Sequence, residues 1–258
     1  MQTSNYEGFL ITNGDSKKIE DALVVEAALQ ININSEPYTV IMRSPGDDFE
    51  LIRGLLHAED IYKQDENLEY EINEEKENGF SIINVNIAKE NLGKGYLNKR
   101  TLLSVSSCGI CGKQKLEDIN FSGKKLHTNF NFDFQKVENM FLKMQKMQAT
   151  FELSGGSHGA AIFNSDYKLL ALKEDIGRHN AVDKAVGSLI ISKKLKKSMC
   201  LLVSGRVSYE IISKAFIAKI PIVIAVSACS SLAVDYAKEF GISLIGFSRG
   251  KKSTIYAQ

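Results

Sequence analysis

The chain has 258 residues and a formal net charge of +1, and 44% of its residues are hydrophobic and 24% charged. This composition allows one large domain or two modest ones with a true core, and it excludes a disordered scaffold. The near-neutral charge gives no reason to expect a nucleic-acid partner. No signal peptide is evident, and the longest apolar run, at 220–234, is too short to cross a bilayer. We therefore expect a cytoplasmic protein with no membrane partner.

The first 97 residues have the pattern of short strands around one helix. Two pairs of β-rich segments flank turn sequences and predict two hairpins, which join residues 22–32 to 38–42 and residues 68–73 to 80–87. Between the hairpins, apolar residues at helical spacing follow a helix start in which Ser44 or Asp47 provides the cap. These signals predict a smaller, mainly β, N-terminal α+β domain over residues 1–97.

Residues 98–131 contain few periodic apolar residues and many glycines, lysines, serines and asparagines. Loops of this length inside compact proteins are uncommon and are usually functional or disordered. We predict a mobile loop here, and it carries Cys108 and Cys111 in a CxxC arrangement.

From residue 132 onward, helical and strand patterns alternate. An amphipathic helix starts near Phe134, and a hairpin turns at 164–166. Three continuous apolar runs, at 199–204, 222–227 and 242–248, have the composition of buried parallel strands. One predicted helix, at 180–192, precedes them, and two more, at 208–218 and 230–240, separate them. The order α-β-β-α-β-α-β-α-β predicts a three-layer α/β domain over residues 132–258.

The ends of those three strands carry similar polar residues. Carboxyl ends of parallel strands meet at one edge of a sheet, where ligands bind, and helix N-termini there favour anions. Arginine can clamp a phosphate through two parallel hydrogen bonds. The edge therefore predicts a phosphorylated or nucleotide-like ligand, held by Ser204, Gly205, Arg206, Ser227, Ser248, Arg249, Gly250, Lys251 and Lys252. The alternative is that these residues are only helix caps and exposed turns.

A second polar cluster, at 174–180, lies between a predicted strand and a predicted helix. It contains an acid pair, an arginine, a histidine and an asparagine, and such clusters at strand exits are commonly functional. Asp175 and His179 are candidates for positioning a ligand or moving protons. The alternative is a helix cap with solvent-facing charges. His158, in the glycine-rich turn at 154–159, gives little indication by itself.

The CxxC at Cys108 and Cys111 allows three chemistries. It provides only half of a tetrahedral zinc site, and no second CxxC is present. A thioredoxin-like motif should open a helix, whereas Gly112 and a polar stretch follow here. A sulfur-carrying thiol needs an accessible setting and nearby cations that favour the thiolate, and Arg100 and Lys113 provide them. The third chemistry fits best, with no permanently bound metal.

Zinc deaminases have a His-x-Glu followed by a Pro-Cys-x-x-Cys, and His57 and Glu59 ahead of Cys108 imitate that signature. Two observations oppose this interpretation. Ser107 stands where the proline should be, and His57 lies opposite the apolar face of its predicted helix, which predicts exposure to solvent.

Five segments together resemble the FdhD family of formate dehydrogenase accessory sulfurtransferases, in sequence and in order. They are SSCGICGK at 106–113, GGSHGA at 155–160, EDIGRHNAVDK at 174–184, SGRVSYE at 204–210 and GFSR at 246–249. The third segment is the most specific of them. The sequence departs from the family at Cys229, where the family often has proline.

The resemblance implies that Cys108 accepts sulfur from a cysteine desulfurase as a persulfide. The sulfur then passes to the molybdenum or tungsten of a bis(molybdopterin guanine dinucleotide) cofactor, before insertion into the formate dehydrogenase catalytic subunit. The resemblance also implies a homodimer and a cytidine deaminase-like C-terminal domain. In that domain the deaminase metal positions fall near His179 and Ser208. The guanine and pyrophosphate groups would lie at the strand-end edge, where the segment from Phe247 to Lys252 matches best.

Two other functions stay open at this point. In the first, the protein is a non-enzymatic chaperone for the molybdenum cofactor, and the CxxC binds zinc or only shapes the loop. In the second, it is a zinc nucleobase deaminase.

Overall fold

The structure is a computed structural model that describes residues 2–97, 124–126, 132–250 and 252–258. The predicted cysteine loop therefore lies almost wholly outside the described residues, and the predicted domain boundaries on either side of it stay predictions. Among the described residues, no helix is both long and apolar enough to cross a membrane.

The first two strands, β1 (Thr3–Thr12) and β2 (Asp15–Val24), form an antiparallel ribbon that the sequence analysis missed. Nearly every side chain on the ribbon is exposed, so no apolar alternation marks it. The available signal was the Asn-Gly pair between the strands. Asn13 and Gly14 have φ angles of 53° and 92°, and two successive positive φ angles are what a tight two-residue hairpin turn requires.

The four strands that follow form one sheet in the order β4-β3-β6-β5. These elements are β3 (Ala27–Ile33), β4 (Glu36–Arg43), α1 (Asp48–Ala58), β5 (Glu69–Glu75) and β6 (Ser81–Asn86). Both predicted hairpins are confirmed, and a parallel pairing of β3 with β6 joins them. Alternate residues of β3 are buried, and Leu29, Ile31 and Ile33 pack with Leu51 and Ile52 of α1 in one apolar cluster.

Six strands form the second sheet, in the order β12-β11-β10-β9-β7-β8. The strands are β7 (His158–Phe163), β8 (Leu169–Asp175), β9 (Cys200–Val203), β10 (Ile222–Ala225), β11 (Ser243–Arg249) and β12 (Lys252–Ala257), and the helices are α2 (Val137–Lys146), α3 (Ala149–Ser154), α4 (Arg178–Ile191), α5 (Tyr209–Ile217) and α6 (Ser231–Phe240). The three strands predicted from apolar runs are adjacent and parallel, as expected.

Helices cover both faces of this sheet, which confirms the predicted three-layer arrangement. One face packs on α4, α5 and α6, and the other face packs on α2. Two elements differ from the prediction. The helix predicted from Phe134 is present as α2, but a further short helix, α3, follows it, and the exposed, largely polar β12 adds an antiparallel edge strand. The specific likeness to cytidine deaminases stays a prediction.

Helices α1 and α4 cross at two glycines that allow very close contact. A Cβ added at Gly54 would lie 2.0 Å from the carbonyl oxygen of Asp183, and one added at Gly187 would lie 1.9 Å from that of Glu50. Real Cβ atoms cannot approach a backbone oxygen so closely. The two glycines therefore set the distance between α1, which packs on the four-stranded sheet, and α4, which packs on the six-stranded sheet.

We expect Gly187→Ala to lower the free energy of unfolding by about 1–3 kcal/mol, because the added methyl group forces the helices apart. Alanine has the higher helix propensity, so a net loss isolates the packing effect. Urea denaturation measures it. The control is Gly8→Ala, because nothing lies within 4 Å of a Cβ at Gly8. Equal stability of Gly187→Ala and the parent chain would contradict the close contact.

Candidate functional site

The carboxyl ends of β9, β10 and β11 meet at one edge of the six-stranded sheet. Val203 pairs with Ala225 at the ends of β9 and β10, and the amide of Val226 donates to the carbonyl oxygen of Val203 at 3.1 Å. On the next strand, the amide of Phe247 donates to the carbonyl oxygen of Ser227 at 3.0 Å. The predicted convergence of the strand ends is therefore confirmed, whereas their binding of a ligand stays a prediction.

The turn between β11 and β12 holds Phe247 in an unusual conformation. Its φ is 50°, which is rare for a bulky residue, and 47% of the side chain is exposed. Arg249 is exposed, and its Nε donates to the carbonyl oxygen of Val226 at 3.2 Å. An exposed aromatic ring beside a surface arginine is suited to stacking and phosphate contact.

The other predicted residues of this turn differ in accessibility. Ser248 is buried, and its hydroxyl accepts a hydrogen bond from Ser253. Gly250 has a φ of 54°, which glycine adopts without strain, and Lys252 is exposed. Lys251 lies outside the described residues. Ser248 thus supports the turn, while Lys252 remains available to a ligand.

The acid pair that opens the 174–184 segment, Glu174 and Asp175, is buried and hydrogen-bonded. Glu174 accepts from the backbone amides of Thr150 and Phe151 and from the hydroxyl of Ser157, which fixes α3 and the turn before β7. Such bonds satisfy the amides that a helix leaves unpaired in its first turn.

Asp175 has no exposed surface and forms an ion pair with Lys184, which is also fully buried, at 2.8 Å. Its carboxylate also accepts hydrogen bonds from the amides of Ser44 and Gly177 and from the side chain of Asn180. The predicted contact of Asp175 with a cofactor remains untested. Its burial indicates that it positions the turn between β8 and α4.

His179 lies at the start of α4, close to the start of α5. Its Nε2 is 3.1 Å from the Ser208 hydroxyl and 2.7 Å from a Glu210 carboxylate oxygen. These are the positions where the resemblance placed the deaminase metal ligands, and the two helix starts do come together. Within the described ranges, no three His, Cys, Asp or Glu side chains are grouped so as to hold a metal ion.

His158 and Arg178 also lie at this edge, although the sequence analysis did not select them. A Cβ added at Gly205 would lie 3.2 Å from Nδ1 of His158 and 3.3 Å from Cβ of Arg178. Burial lowers the pKa of His158, and the positive charges of Arg178 and Arg206 lower it further. The antiparallel pairing of β7 with β9 brings His158 here, and that pairing is not visible in the sequence.

Cys229 follows β10, and a Cβ added at Gly246 would lie 2.9 Å from its sulfur. Burial raises the pKa of the Cys229 thiol to about 11. A thiol with that pKa stays protonated at neutral pH and is a poor nucleophile. Cys108 and Cys111 lie outside the described residues, so their predicted roles stay predictions.

The prediction that His57 faces solvent is wrong. Both ring nitrogens are buried, and neither has a hydrogen-bond partner of good geometry. The side chain is partly buried and lines a cavity together with Leu189 and Ile190 of α4 and Ile217 of α5, which cannot be seen from the periodicity of α1 alone. Burial lowers the pKa of His57 to about 4, and the charges of Arg53 and Lys63 lower it further, although the nearby carbonyl of Ile217 opposes this.

The burial of His57 predicts a pH-dependent stability. An unfolded histidine binds a proton below its ordinary pKa of 6.5, whereas the folded imidazole stays neutral down to about 4. Protonation therefore favours the unfolded chain, and stability falls as the pH falls from 6.5 towards 4. In the parent chain, this proton binding lowers the free energy of unfolding by about 2 kcal/mol between pH 7 and pH 5. We expect His57→Leu to abolish that part of the decrease. Urea denaturation at both pH values measures this, and an unchanged difference would contradict it.

The buried pair of Asp175 and Lys184 leads to a second stability prediction. We expect Lys184→Met to lower the free energy of unfolding by about 3–5 kcal/mol, because it leaves a carboxylate buried without its counter-ion. The control is Lys18→Met, which removes the exposed pair with Glu7 and should change stability by less than about 1 kcal/mol. Comparable losses in the two variants would show that the buried pair is not a structural requirement.

The fold matches a solved structure along its whole length. A crystal structure of a proposed formate dehydrogenase accessory protein from Desulfotalea psychrophila superimposes with a TM-score of 0.77, covering 100% of this chain and 98% of that one. The two sequences are 21% identical, so the likeness shows the fold. The chain is thus a mixed α/β protein of the same fold as that accessory protein.

Sequence comparisons define the family. The profile of the FdhD/NarQ family matches residues 24–258. The sulfur carrier protein FdhD of Saccharolobus solfataricus is 38% identical over 260 residues, covering 99% of this chain and 96% of that protein. The sulfur carrier protein FdhD of Streptomyces avermitilis is 36% identical over 256 residues, covering 96% of this chain and 91% of that protein. The chain belongs to the FdhD/NarQ family.

Proposed function

We propose that this protein is a sulfurtransferase that carries sulfur as a persulfide on Cys108 and serves the maturation of formate dehydrogenase. The observation that carries the proposal is near full-length similarity to relatives named sulfur carrier protein FdhD, at 36–38% identity. The sequence at 106–113 provides the thiol that such a role needs.

The first step places a sulfur atom on Cys108. Its thiolate attacks the outer sulfur of a persulfide on a cysteine desulfurase, the donor's sulfur–sulfur bond breaks, and the donor leaves as a thiolate. Arg100 and Lys113 are close in sequence and favour the ionised thiol. Among the cysteines with described surroundings, the pKa of Cys200 and that of Cys229 are both raised by burial, which disfavours them as nucleophiles.

The acceptor is the molybdenum or tungsten of a bis(molybdopterin guanine dinucleotide) cofactor, which is the substrate of the second step. The strand-end edge supports this assignment, because it offers an exposed aromatic ring at Phe247 and surface cations at Arg206, Arg249 and Lys252. Aromatic rings stack on nucleobases, and arginine binds phosphate in two-point contacts. In this proposal Ser204, Gly205 and Ser227, which follow β9 and β10, also contact the cofactor.

The remaining assignments follow the same proposal. Cys111 is the neighbouring thiol that shares the sulfur or releases it: its thiolate attacks the inner sulfur of the Cys108 persulfide, a Cys108–Cys111 disulfide forms, and the outer sulfur leaves as sulfide for the metal. His179, bonded to Ser208 and Glu210, is placed to position the cofactor or to move a proton at that edge. The protein acts in the cytoplasm as a homodimer, receives sulfur from the desulfurase and delivers it for the catalytic subunit of formate dehydrogenase.

Mass spectrometry tests the sulfur step. We expect the protein, after incubation with a cysteine desulfurase and cysteine, to gain the mass of one sulfur atom, and Cys108→Ala to lose this adduct. The control is Cys229→Ser, which should keep the adduct because the pKa of about 11 keeps that thiol protonated. An adduct at full occupancy in Cys108→Ala would overturn the assignment.

The alternative is a cofactor chaperone without sulfur transfer, in which Cys108 and Cys111 hold zinc or shape the loop. Metal analysis of the purified protein distinguishes the two functions. One zinc ion per chain that is lost in Cys108→Ala favours the chaperone. Zinc with turnover of a cytidine or adenine compound would instead favour a deaminase.

A further inference from the structure

A cavity of about 610 Å³ is bounded by α1 and by the C-terminal ends of α4 and α5. Leu189, Ile190 and Lys193 line it at the end of α4, and Ile217 and Lys219 line it at the end of α5. Strands β9 and β10 begin a few residues after these two helix ends, so the cavity lies at the opposite edge of the six-stranded sheet from the strand-end edge. Cavities of this volume hold small molecules in other proteins.

The cavity combines an apolar wall with an excess of positive charge. Leu189 and Ile190 are buried, and Ile217 is partly buried. The C-terminal ends of α4 and α5 contribute only about half a negative charge each. The charged residues that the structure describes in the lining are five cations and one acid, namely Arg53, Lys63, Lys193, Lys196 and Lys219, and Asp65.

Three of the five cations already have partners. Arg53 donates to two backbone carbonyl oxygens, at 3.1 and 2.6 Å. Lys63 and Lys196 each form an exposed ion pair, at 2.6 and 3.6 Å. Lys193 and Lys219 are exposed and form no ion pair with any residue that the structure describes. These two lysines are therefore the cations that a ligand can pair with.

Both lysines stand where helices commonly end in glycine. Lys193 and Lys219 follow the last turns of α4 and α5 with φ angles of 57° and 59°. Gly155 and Gly241 have this left-handed conformation after α3 and α6, and glycine adopts it without strain. A lysine there stabilises the helix end through the dipole, and it also adds a positive charge to the cavity lining. The Lys219 nitrogen lies 4.8 Å from the centroid of the Phe216 ring, which keeps it beside the end of α5.

His57 adds an unpaired polar group to the wall. Both ring nitrogens are buried, and neither forms a hydrogen bond within the described part of the chain. Burial, and then the charges of Arg53 and Lys63, lower the pKa of the imidazole, so the positive potential extends to this wall. Buried polar atoms nearly always have a partner. An anion in the cavity would provide an acceptor for the imidazole N–H once the ring turns towards it.

We propose that this cavity binds a small organic acid that has an apolar body. The apolar body packs on Leu189, Ile190 and Ile217, and the ionised acid group pairs with Lys193 and Lys219. An inorganic anion would leave the apolar wall uncovered, and a neutral apolar molecule would leave the two lysines unpaired. The site is separate from the strand-end edge, and the proposed sulfur transfer does not require it.

Fluorescence titration of the full chain with two dyes tests the site. 8-Anilinonaphthalene-1-sulfonate carries an acid group on an aromatic body, and N-phenyl-1-naphthylamine is the same molecule without the sulfonate. We expect the parent chain to bind the sulfonate dye at least fivefold more tightly than the neutral dye. The double variant Lys193→Gln/Lys219→Gln should weaken the sulfonate dye at least fivefold and leave the neutral dye within about twofold, because charge-assisted contacts are lost.

The double variant Lys194→Gln/Lys197→Gln is the matched control. Both of its lysines are exposed and next in sequence to lysines of the lining, but neither lines the cavity. It has the same net charge as the first double variant, and it should bind both dyes as the parent chain does. Equal weakening in the two double variants would show a response to net charge alone and would overturn the site.

Nitrogen NMR of the imidazole groups locates the dye. The chain has four histidines, so substituting each in turn assigns their signals. The sulfonate dye should shift the signals of His57 and leave those of His158 and His179, at the opposite edge, unchanged. Shifts at His158 or His179 without a shift at His57 would place the dye at the other edge and overturn the site. A parent chain that binds neither dye, or both equally, would also overturn it.

Discussion

The buried ion pair between Asp175 and Lys184 is the interaction on which the placement of the site depends. Both side chains are fully buried. Ser44, which follows β4, joins the pair to the four-stranded sheet: its amide donates to Asp175, and its carbonyl oxygen accepts from Lys184. Asn180 adds a hydrogen bond to the carbonyl oxygen of Met42. Buried charges are tolerated only when paired and hydrogen-bonded, so this network holds the chain in one arrangement where the two sheets meet.

That network divides the 174–184 segment into two sets of residues. The acids and Lys184 are directed inward and hold the fold together, whereas Arg178 and His179 start a helix at the edge where β9, β10 and β11 end. A polar motif that suggests catalysis throughout is thus mostly structural, and Arg178 and His179 are the two residues of it that lie at the strand-end edge. The glycine contact between α1 and α4 acts with the network, because it sets how closely the first sheet approaches the helix that presents Arg178.

Local sequence signals predicted much of the fold. Apolar runs identified the three parallel strands, and turn sequences identified the hairpins of the first sheet. What the sequence did not show depends on contacts between distant segments: the burial of His57 under α4 and α5, the position of His158 beside Gly205, and the partners of Asp175. The ribbon of β1 and β2 was missed for another reason. Asn13-Gly14 marks its turn in the sequence, but its exposed strands have no alternation of apolar residues that would identify them as strands. Cys108 and Cys111 were selected by residue type and neighbours, and their predicted roles rest on the family.

The proposed function needs a sulfur-carrying thiol at Cys108 and an acceptor bound at the strand-end edge. Radiolabelled sulfur tests this most directly, followed from cysteine through a desulfurase and this protein to the cofactor recovered from formate dehydrogenase. A sulfur carrier acting through Cys108 gives labelled cofactor with the parent chain and none with Cys108→Ala. Equal labelling of the cofactor with Cys108→Ala would show that sulfur reaches the cofactor without this thiol.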